Sequence, residues 1–394
     1  MRVPRVAFFT DTFEQINGVA LTSRQFVEFA ERGQRPFLTV REGDATQIYR
    51  DGSLTHVELH RGPFSVGLDK NLRYDLLLSR HMKLVREALI DFRPDIIHAV
   101  SPGDIGTLGV RLAKELGVTL ALSWHTNLHE FGARRLEKLT SWLPNSARNA
   151  LTSTAEQTIL DACIAFYRLG DILYAPNDEL VELLRARTGK PVFLMQRGID
   201  SDLFHPNRRN VTDGLLRIGY VGRITPEKNV RFLRDLETGL HAAGAPPFRF
   251  VVIGDGSEKD WLARNLENVE LPGILRNIRL AEAYANMDVF AFPSRTDTFG
   301  NVILEAFASG TPAVVTDAGG PKFIVRDGET GFVARSGGDF IASTLRLLED
   351  ARLRAQMAKA ARSHALGQSW DEIFRRVYDG YAVLNVPSHA CSSI

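Results

Sequence analysis

Short apolar runs alternate with longer amphipathic stretches along most of the 394 residues. RVAFFTDTF, from Arg5 to Phe13, precedes VALTSRQFVEFAERG, whose apolar positions recur at helical spacing, and FLTVREG follows. The same pairing repeats through MKLVREALIDF and PDIIHAVSP, then DIGTLGVRLAKELG and VTLALSWHTN. A long helical region is predicted from about Phe131 to Phe166, followed by the strand DILYAPN, a helix over 178–187 and a last strand in VFLMQRGID. The segment 200–214 is polar and rich in turn residues and reads as a linker. A second series follows, with strands in LRIGYVGR, FRFVVIGDG, NVELPG, MDVFAFPS, TPAVVT and GFVA. Alternation of this kind predicts α/β architecture, with parallel sheets and right-handed crossovers, in two domains. Beyond it, Trp370, Ile373, Phe374, Val377, Tyr378 and Tyr381 lie at helical spacing and predict an amphipathic helix with one packed face.

Composition narrows this picture without redirecting it. Apolar residues make up 44% and charged residues 24%, the balance of an ordinary globular chain. With 48 basic and 47 acidic side chains the net charge is +1, so no global field selects nucleic acid, and none is expected as a partner. Two cysteines, Cys163 and Cys391, do not make a disulfide framework or a cysteine zinc site, and a reducing cytoplasm fits them. The N-terminal apolar run is too short for a signal peptide, and no segment approaches the ~18 apolar residues of a membrane span. The last four residues, CSSI, read as a disordered tail rather than a prenylation box.

In open α/β sheets ligands bind at the carboxyl ends of strands, and the candidate chemistry gathers there. In SRTDTFGNVILEAFASGTP, Asp297 follows an apolar strand and Glu305 lies inside the helix that comes next. The amides of Phe299, Gly300 and Asn301 open that helix, where the dipole favours an anion. Helical side chains lean toward the N-terminus, so Glu305 can reach back to the same place. A bare anion is repelled by two acids, whereas a nucleotide sugar offers phosphates to the amides and hydroxyls to the carboxylates. The plainer alternative makes Asp297 a cap and Glu305 a surface residue.

In GYVGRITPEKNV, Arg223 and Lys228 follow a strand that ends in Gly, and Pro226 is placed to open a helix. Arg can bind a diphosphate with two parallel hydrogen bonds and Lys can act as a point charge; solvated surface cations are the alternative. Asn17-Gly18 forms a turn before the first helix, but GxGxxG is absent, which disfavours a dinucleotide dehydrogenase. His98 and His125 both follow apolar strands; His98 reads as a core residue and His125, between Trp124 and Thr126, as a functional one. No HExxH, paired His/Cys spacing or DxD at a strand end is present, and no metal site is expected. Arg134, Arg135 and Lys138 adjoin Leu136, Leu139 and Trp142, a pattern that suits either an interfacial helix on anionic lipid or a solvated helix with an inward apolar face.

Together these segments resemble the family-4 retaining glycosyltransferases. The resemblance rests on NGV in the first loop, SWHTN, YVGRITPEKN, VVIGDGS, NVELPG, PSRTDTFGNVILEAFASGTPAV, GGP and DGETGF, and it runs from about Phe9 to Tyr381. Within the family, TDTF, INGV and SWHTN look closest to enzymes that glycosylate lipids, the glycolipid mannosyltransferases and sulfoquinovosyl-diacylglycerol synthases. The resemblance implies the GT-B fold, two Rossmann-like domains facing each other across a cleft. It implies an acceptor-binding domain over 1–205, a nucleotide-sugar-binding domain over 206–366, a helix over 367–385 returning to the first domain, and a flexible tail over 386–394.

It further implies that Arg223 and Lys228 bind the diphosphate with the Phe299–Val302 amides. Glu305 would take the ribose, backbone near Leu271 and Gly273 the base, and Asp297 the transferred sugar. His125 and Gly18 would contribute from the first domain. Asp297 stands where the family usually has Glu, Trp124 where Tyr is frequent, and Asn127 where this branch often has Asp. The implied reaction moves a hexosyl unit from a nucleoside diphosphate sugar to a hydroxyl of a lipid or glycan, with retention and without metal or other cofactor. The implied location is the cytoplasm, with peripheral contact to an anionic membrane left open. A sugar-nucleotide epimerase and a nucleotide-sugar-binding protein without turnover remain as alternatives.

Overall fold

The short apolar runs form strands, most of them with buried side chains, and the amphipathic stretches among the described residues form helices between them. The computed structural model describes residues 2–15, 18–62, 65–69, 72–75, 77–125 and 145–383. The chain divides into two compact units, one formed by residues 1–196 and 371–394 and the other by residues 197–370.

In the first unit the strands are β1 (Val6–Thr10), β2 (Phe37–Glu42), β3 (Gln47–Asp51), β4 (Leu54–Leu59), β5 (Ser65–Asp69), β6 (Leu72–Asp75), β7 (Ile96–Ala99), β8 (Thr119–Ser123), β9 (Ile172–Ala175) and β10 (Val192–Leu194). Eight of them make one sheet in the order β10-β9-β8-β7-β1-β2-β4-β3, and β5 pairs with β6 separately. Every neighbouring pair in the large sheet is parallel except β3–β4. Strand β1 is buried at all five positions, as a central strand covered on both faces must be. The hairpin β3–β4 is absent from the strand–helix alternation, because β3 is exposed throughout and carries no period-two signal. Its turn, Asp51-Gly52 with Gly52 at φ +55°, is nevertheless a recognisable hairpin dipeptide.

The helix Trp370–Ala382 completes this unit from the far end of the sequence. Phe374 stacks on Phe26 at 4.5 Å between ring centres, and the Tyr174 hydroxyl donates to the Val377 carbonyl at 2.7 Å. His98 lies in the core, with Nδ1 2.6 Å from the Tyr381 hydroxyl and Nε2 bonded to Ser123. Burial pushes its pKa down to about 3, so the ring is neutral and structural. Each buried aromatic on this helix contributes ~1.5–3 kcal/mol by leaving water. The helix expected from about Phe131 is described only from Asn145 to Tyr167.

The second unit holds β11 (Leu216–Val221), β12 (Phe248–Ile253), β13 (Val269–Gly273), β14 (Val289–Phe292), β15 (Ala313–Thr316) and β16 (Gly331–Ala334) in one parallel sheet, ordered β13-β12-β11-β14-β15-β16. The chain moves outward from β11 to β13, then returns to the other side of β11 as β14. Loops leaving β11 and β14 therefore diverge and leave a crevice at their carboxyl ends, the place where such sheets bind ligands. In the first unit the equivalent crevice lies between β1 and β7. Pro226 opens a single 3-10 turn, Pro226–Lys228, and the helix that follows begins only at Phe232, because Asn229 takes a left-handed conformation at φ +54°.

Candidate active site at the β11–β14 crevice

The two loops that bound this crevice are knitted together by backbone and side-chain bonds. Thr296 donates to the Glu227 carbonyl at 3.1 Å, and Asn229 donates to the Pro293 carbonyl at 3.3 Å. Across them Lys228 Nζ meets Asp297 Oδ1 at 2.6 Å. Burial alone would raise the pKa of Asp297, but the Lys228 cation, with Ser294 and Arg223, holds it below the usual carboxylate range. Asp297 is thus an ionised acid held by a lysine. Arg223 stands at the crevice mouth, half exposed, with Nη1 3.4 Å from Glu227.

The loop from Asp297 enters the helix Asn301–Ala308 through Gly300, which sits at φ +100°, where a side chain is strained. Gly300 offers no capping side chain, so the amides of Phe299, Gly300, Asn301 and Val302 cluster at the positive end of this eight-residue helix. Phe299 is buried and anchors the turn. Behind it Gly320 N donates to the Asp297 carbonyl at 2.6 Å, and a Cβ at Gly320 would stand 2.1 Å from the Thr298 carbonyl oxygen. The GGP segment is therefore a backbone brace for the acid loop.

Glu305 accepts a hydrogen bond from the buried Tyr284 hydroxyl at 2.7 Å. Burial raises its pKa, and the bond from Tyr284 only partly opposes this. The half-buried carboxylate makes no ion pair with a base among the described residues, and Tyr284 aims one of its oxygens. Leu271 and Gly273 lie on β13, where the Gly254 amide donates to the Gly273 carbonyl at 2.9 Å, so their backbone forms the floor beside the ends of β12 and β13.

The second unit thus brings Arg223, Lys228, Asp297, Phe299, Gly300, Asn301, Val302 and Glu305 to one sheet edge. Two residues of this edge escape a reading of the sequence. Tyr284 lies in an amphipathic helix, where an inward tyrosine carries no functional mark. Arg197 is a single cation beside a linker, and its burial against Asn301 comes only with the fold.

In the first unit Gly18 opens the helix Gly18–Arg32 after β1, and His125 follows β8, both at the carboxyl edge of that sheet. His125 is buried beside Trp124, whose ring stacks on Tyr167 at 4.9 Å. At the β1–β7 crevice Asp11 accepts from the Ile105 amide at 2.9 Å and from Ser101. Arg61 Nη2 lies 2.8 Å from Asp104 and 3.9 Å from Asp11. Burial, then the hydrogen bond and charge of Asp104, raise Asp11 to about 7. Arg134, Arg135, Lys138 and Trp142 lie outside the described residues.

Two family models match the chain, one described as Glycosyltransferase Family 4 over residues 16–203 and one as Glycosyl transferases group 1 over residues 216–350. The chain is 31% identical, over 93% of both proteins, to the GDP-mannose-dependent alpha-mannosyltransferase of Mycobacterium tuberculosis. It is a family-4 glycosyltransferase. This glycosyltransferase is also 32% identical to the sulfoquinovosyl transferase of Arabidopsis thaliana, covering 93% of this chain and 71% of that protein. Among solved structures it resembles sucrose-phosphate synthase from Thermosynechococcus elongatus, with a TM-score of 0.72 over 98% of this chain and 100% of that one, at 18% identity. That likeness places its two sheets in the GT-B fold. No helix among the described residues is long and apolar enough to cross a membrane.

Proposed function

We propose that this glycosyltransferase moves a hexosyl unit from a nucleoside diphosphate sugar to a hydroxyl of a lipid or glycan acceptor, with retention of anomeric configuration. The observation that carries the reading is the Lys228–Asp297 pair, 2.6 Å across, in the β11–β14 crevice beside the N-terminus of the Asn301 helix. Positive groups suited to a diphosphate adjoin there a carboxylate suited to sugar hydroxyls. The mannosyltransferase relative names GDP-mannose as its donor, which makes GDP-mannose the first donor to test.

In the reaction the C1–oxygen bond to the β-phosphate breaks and a bond from C1 to the acceptor oxygen forms on the same face. The acceptor's proton passes to an oxygen of the leaving diphosphate. Lys228, Arg223 and the Phe299–Val302 amides stabilise the negative charge that grows on that diphosphate, in a site where donors are fixed beforehand. These groups can neutralise the diphosphate without a metal, so turnover is expected to survive chelation by EDTA. Glu305, aimed by Tyr284, accepts from ribose hydroxyls, Asp297 from the sugar, and backbone at Leu271 and Gly273 meets the base. Gly18 and His125 serve the reaction from the carboxyl edge of the first sheet. Arg134, Arg135, Lys138 and Trp142 give peripheral contact with anionic lipid, and removing the three charges is expected to weaken sedimentation with anionic vesicles.

Thermal-shift titration with GDP-, UDP- and ADP-sugars tests donor binding, followed by transfer to glycolipid acceptors with the product anomer read by NMR. Release of GDP, UDP or ADP coupled to an α-linked product from an α-linked donor is the expected result. An isomerised donor sugar in the absence of acceptor would overturn the reading in favour of an epimerase, and donor binding without any product would favour a binding protein.

A further inference from the structure

Arg197, in MQRGID, is only 8% exposed. A buried guanidinium is costly unless its charge and its N–H groups are matched. Here the matching is incomplete. Nη1 donates to the Asn301 side-chain oxygen at a long 3.3 Å, and the Phe299 ring lies 5.9 Å from Cζ. Nε has no hydrogen-bond partner among the described residues. The nearby anion is Asp297, already taken at 2.6 Å by the half-buried Lys228, so this one carboxylate faces two cations. Burial draws the guanidinium down to about 10, against the pull of Asp297, and it stays charged at neutral pH.

The backbone that carries Arg197 is pinned. Ile199 N donates to the Gln368 carbonyl at 2.9 Å, and a Cβ at Gly198 would come within 2.5 Å of the Trp370 backbone. Arg362 then ties the carbonyls of Ser201 and Phe204 to that of Ala308, at the far end of the Asn301 helix. The side chain is held at the helix N-terminus by its own chain, not by a partner that neutralises it.

We propose that Arg197 is a further donor-binding residue, whose Nε–H takes an oxygen of the phosphate nearest the transferred sugar. It is the third cation of the pocket, beside Lys228 and Arg223. An anionic oxygen there supplies the missing acceptor and balances the second cation, which neither a sugar hydroxyl nor the base can do. A planar fork fits two phosphate oxygens where an ammonium fits one, so Arg and Lys are not equivalent at this position. The inference rests on the nucleotide-sugar reading above.

Calorimetric titration of the full chain tests it, using whichever of GDP, UDP and ADP the wild type binds, together with the matching monophosphate. Arg197→Gln is expected to weaken the diphosphate at least ~10-fold and the monophosphate less than ~2-fold, the size expected for one charged hydrogen bond. Arg197→Lys keeps the charge should the first variant fold poorly, and is expected to weaken the diphosphate at least ~3-fold with the monophosphate unchanged. Unchanged diphosphate affinity in folded variants would overturn the inference and leave the donor reading intact. Equal losses for both nucleotides would overturn it too, making Arg197 structural. A wild type that binds none of the three diphosphates would overturn the donor reading itself.

Discussion

Replacing Lys228 with Ala removes the cation 2.6 Å from Asp297, where the lysine side chain is 12% and the aspartate 21% exposed. Breaking a buried pair by deleting one partner costs ~3–5 kcal/mol; partial exposure and protonation of Asp297 reduce this to about 2 kcal/mol of stability. With the lysine gone, burial is opposed chiefly by Ser294 and Arg223, and Asp297 titrates higher. Turnover suffers separately, because the developing diphosphate charge loses a fixed donor, expected at ~100-fold or about 2.7 kcal/mol. The two effects separate in Lys228→Met/Asp297→Asn, which removes both charges of the pair together. Melting temperature is expected to return close to wild type while nucleotide release stays at least ~100-fold slow. Near-normal turnover of Lys228→Ala would refute the reasoning, and so would recovery of turnover in the double variant.

Three further outcomes follow from the same geometry. Glu305→Gln is expected to weaken donor binding ~10-fold by removing a charged hydrogen-bond acceptor; because burial raises Glu305, wild-type affinity should fall as pH drops through its pKa while the variant's stays flat. Gly320→Ala places a Cβ 2.1 Å from the Thr298 carbonyl oxygen, so the acid loop must shift, with ~1–3 kcal/mol lost in melts and donor affinity lost with it. Asp11 is raised from 3.8 to about 7, so its contribution to stability is complete below pH 3.8 and lost as pH rises through 7. Asp11→Asn, which mimics the protonated acid toward Asp104 and the Ile105 amide, is expected to match wild type only below pH 3.8 and to melt increasingly higher than wild type as pH rises to 8.

The α/β architecture was legible because its signal is periodic and repeated. Buried parallel strands such as Val289–Phe292 leave apolar runs that nothing else explains, and the helices between them carry the complementary spacing. Candidate positions such as Asp297 and Lys228 were legible because strand ends and following loops can be located before any contact is known. Their pairing was not, since a 2.6 Å contact across 69 residues depends on which strands become neighbours. Arg197 shows the limit most clearly: its residue type suggests solvent, and only tertiary packing makes it a buried cation. The β3–β4 hairpin failed for the opposite reason, an exposed edge strand having no core to impose alternation.

The β1–β7 crevice of the first unit lies at the carboxyl edge of its sheet. Its mouth is filled by the chain itself, with the carboxyls of Asp11 and Asp104 and the guanidinium of Arg61 meeting where the matching crevice of the second unit presents Lys228 and the Asn301 helix. One half of the molecule carries an internal counterpart of an ion-paired ligand as a permanent plug. If acceptors bind this unit, as the family resemblance implies, they must be chosen by loops standing above the plug. New acceptors could then be acquired by changing loops alone, leaving the charged floor, and with it the fold, untouched.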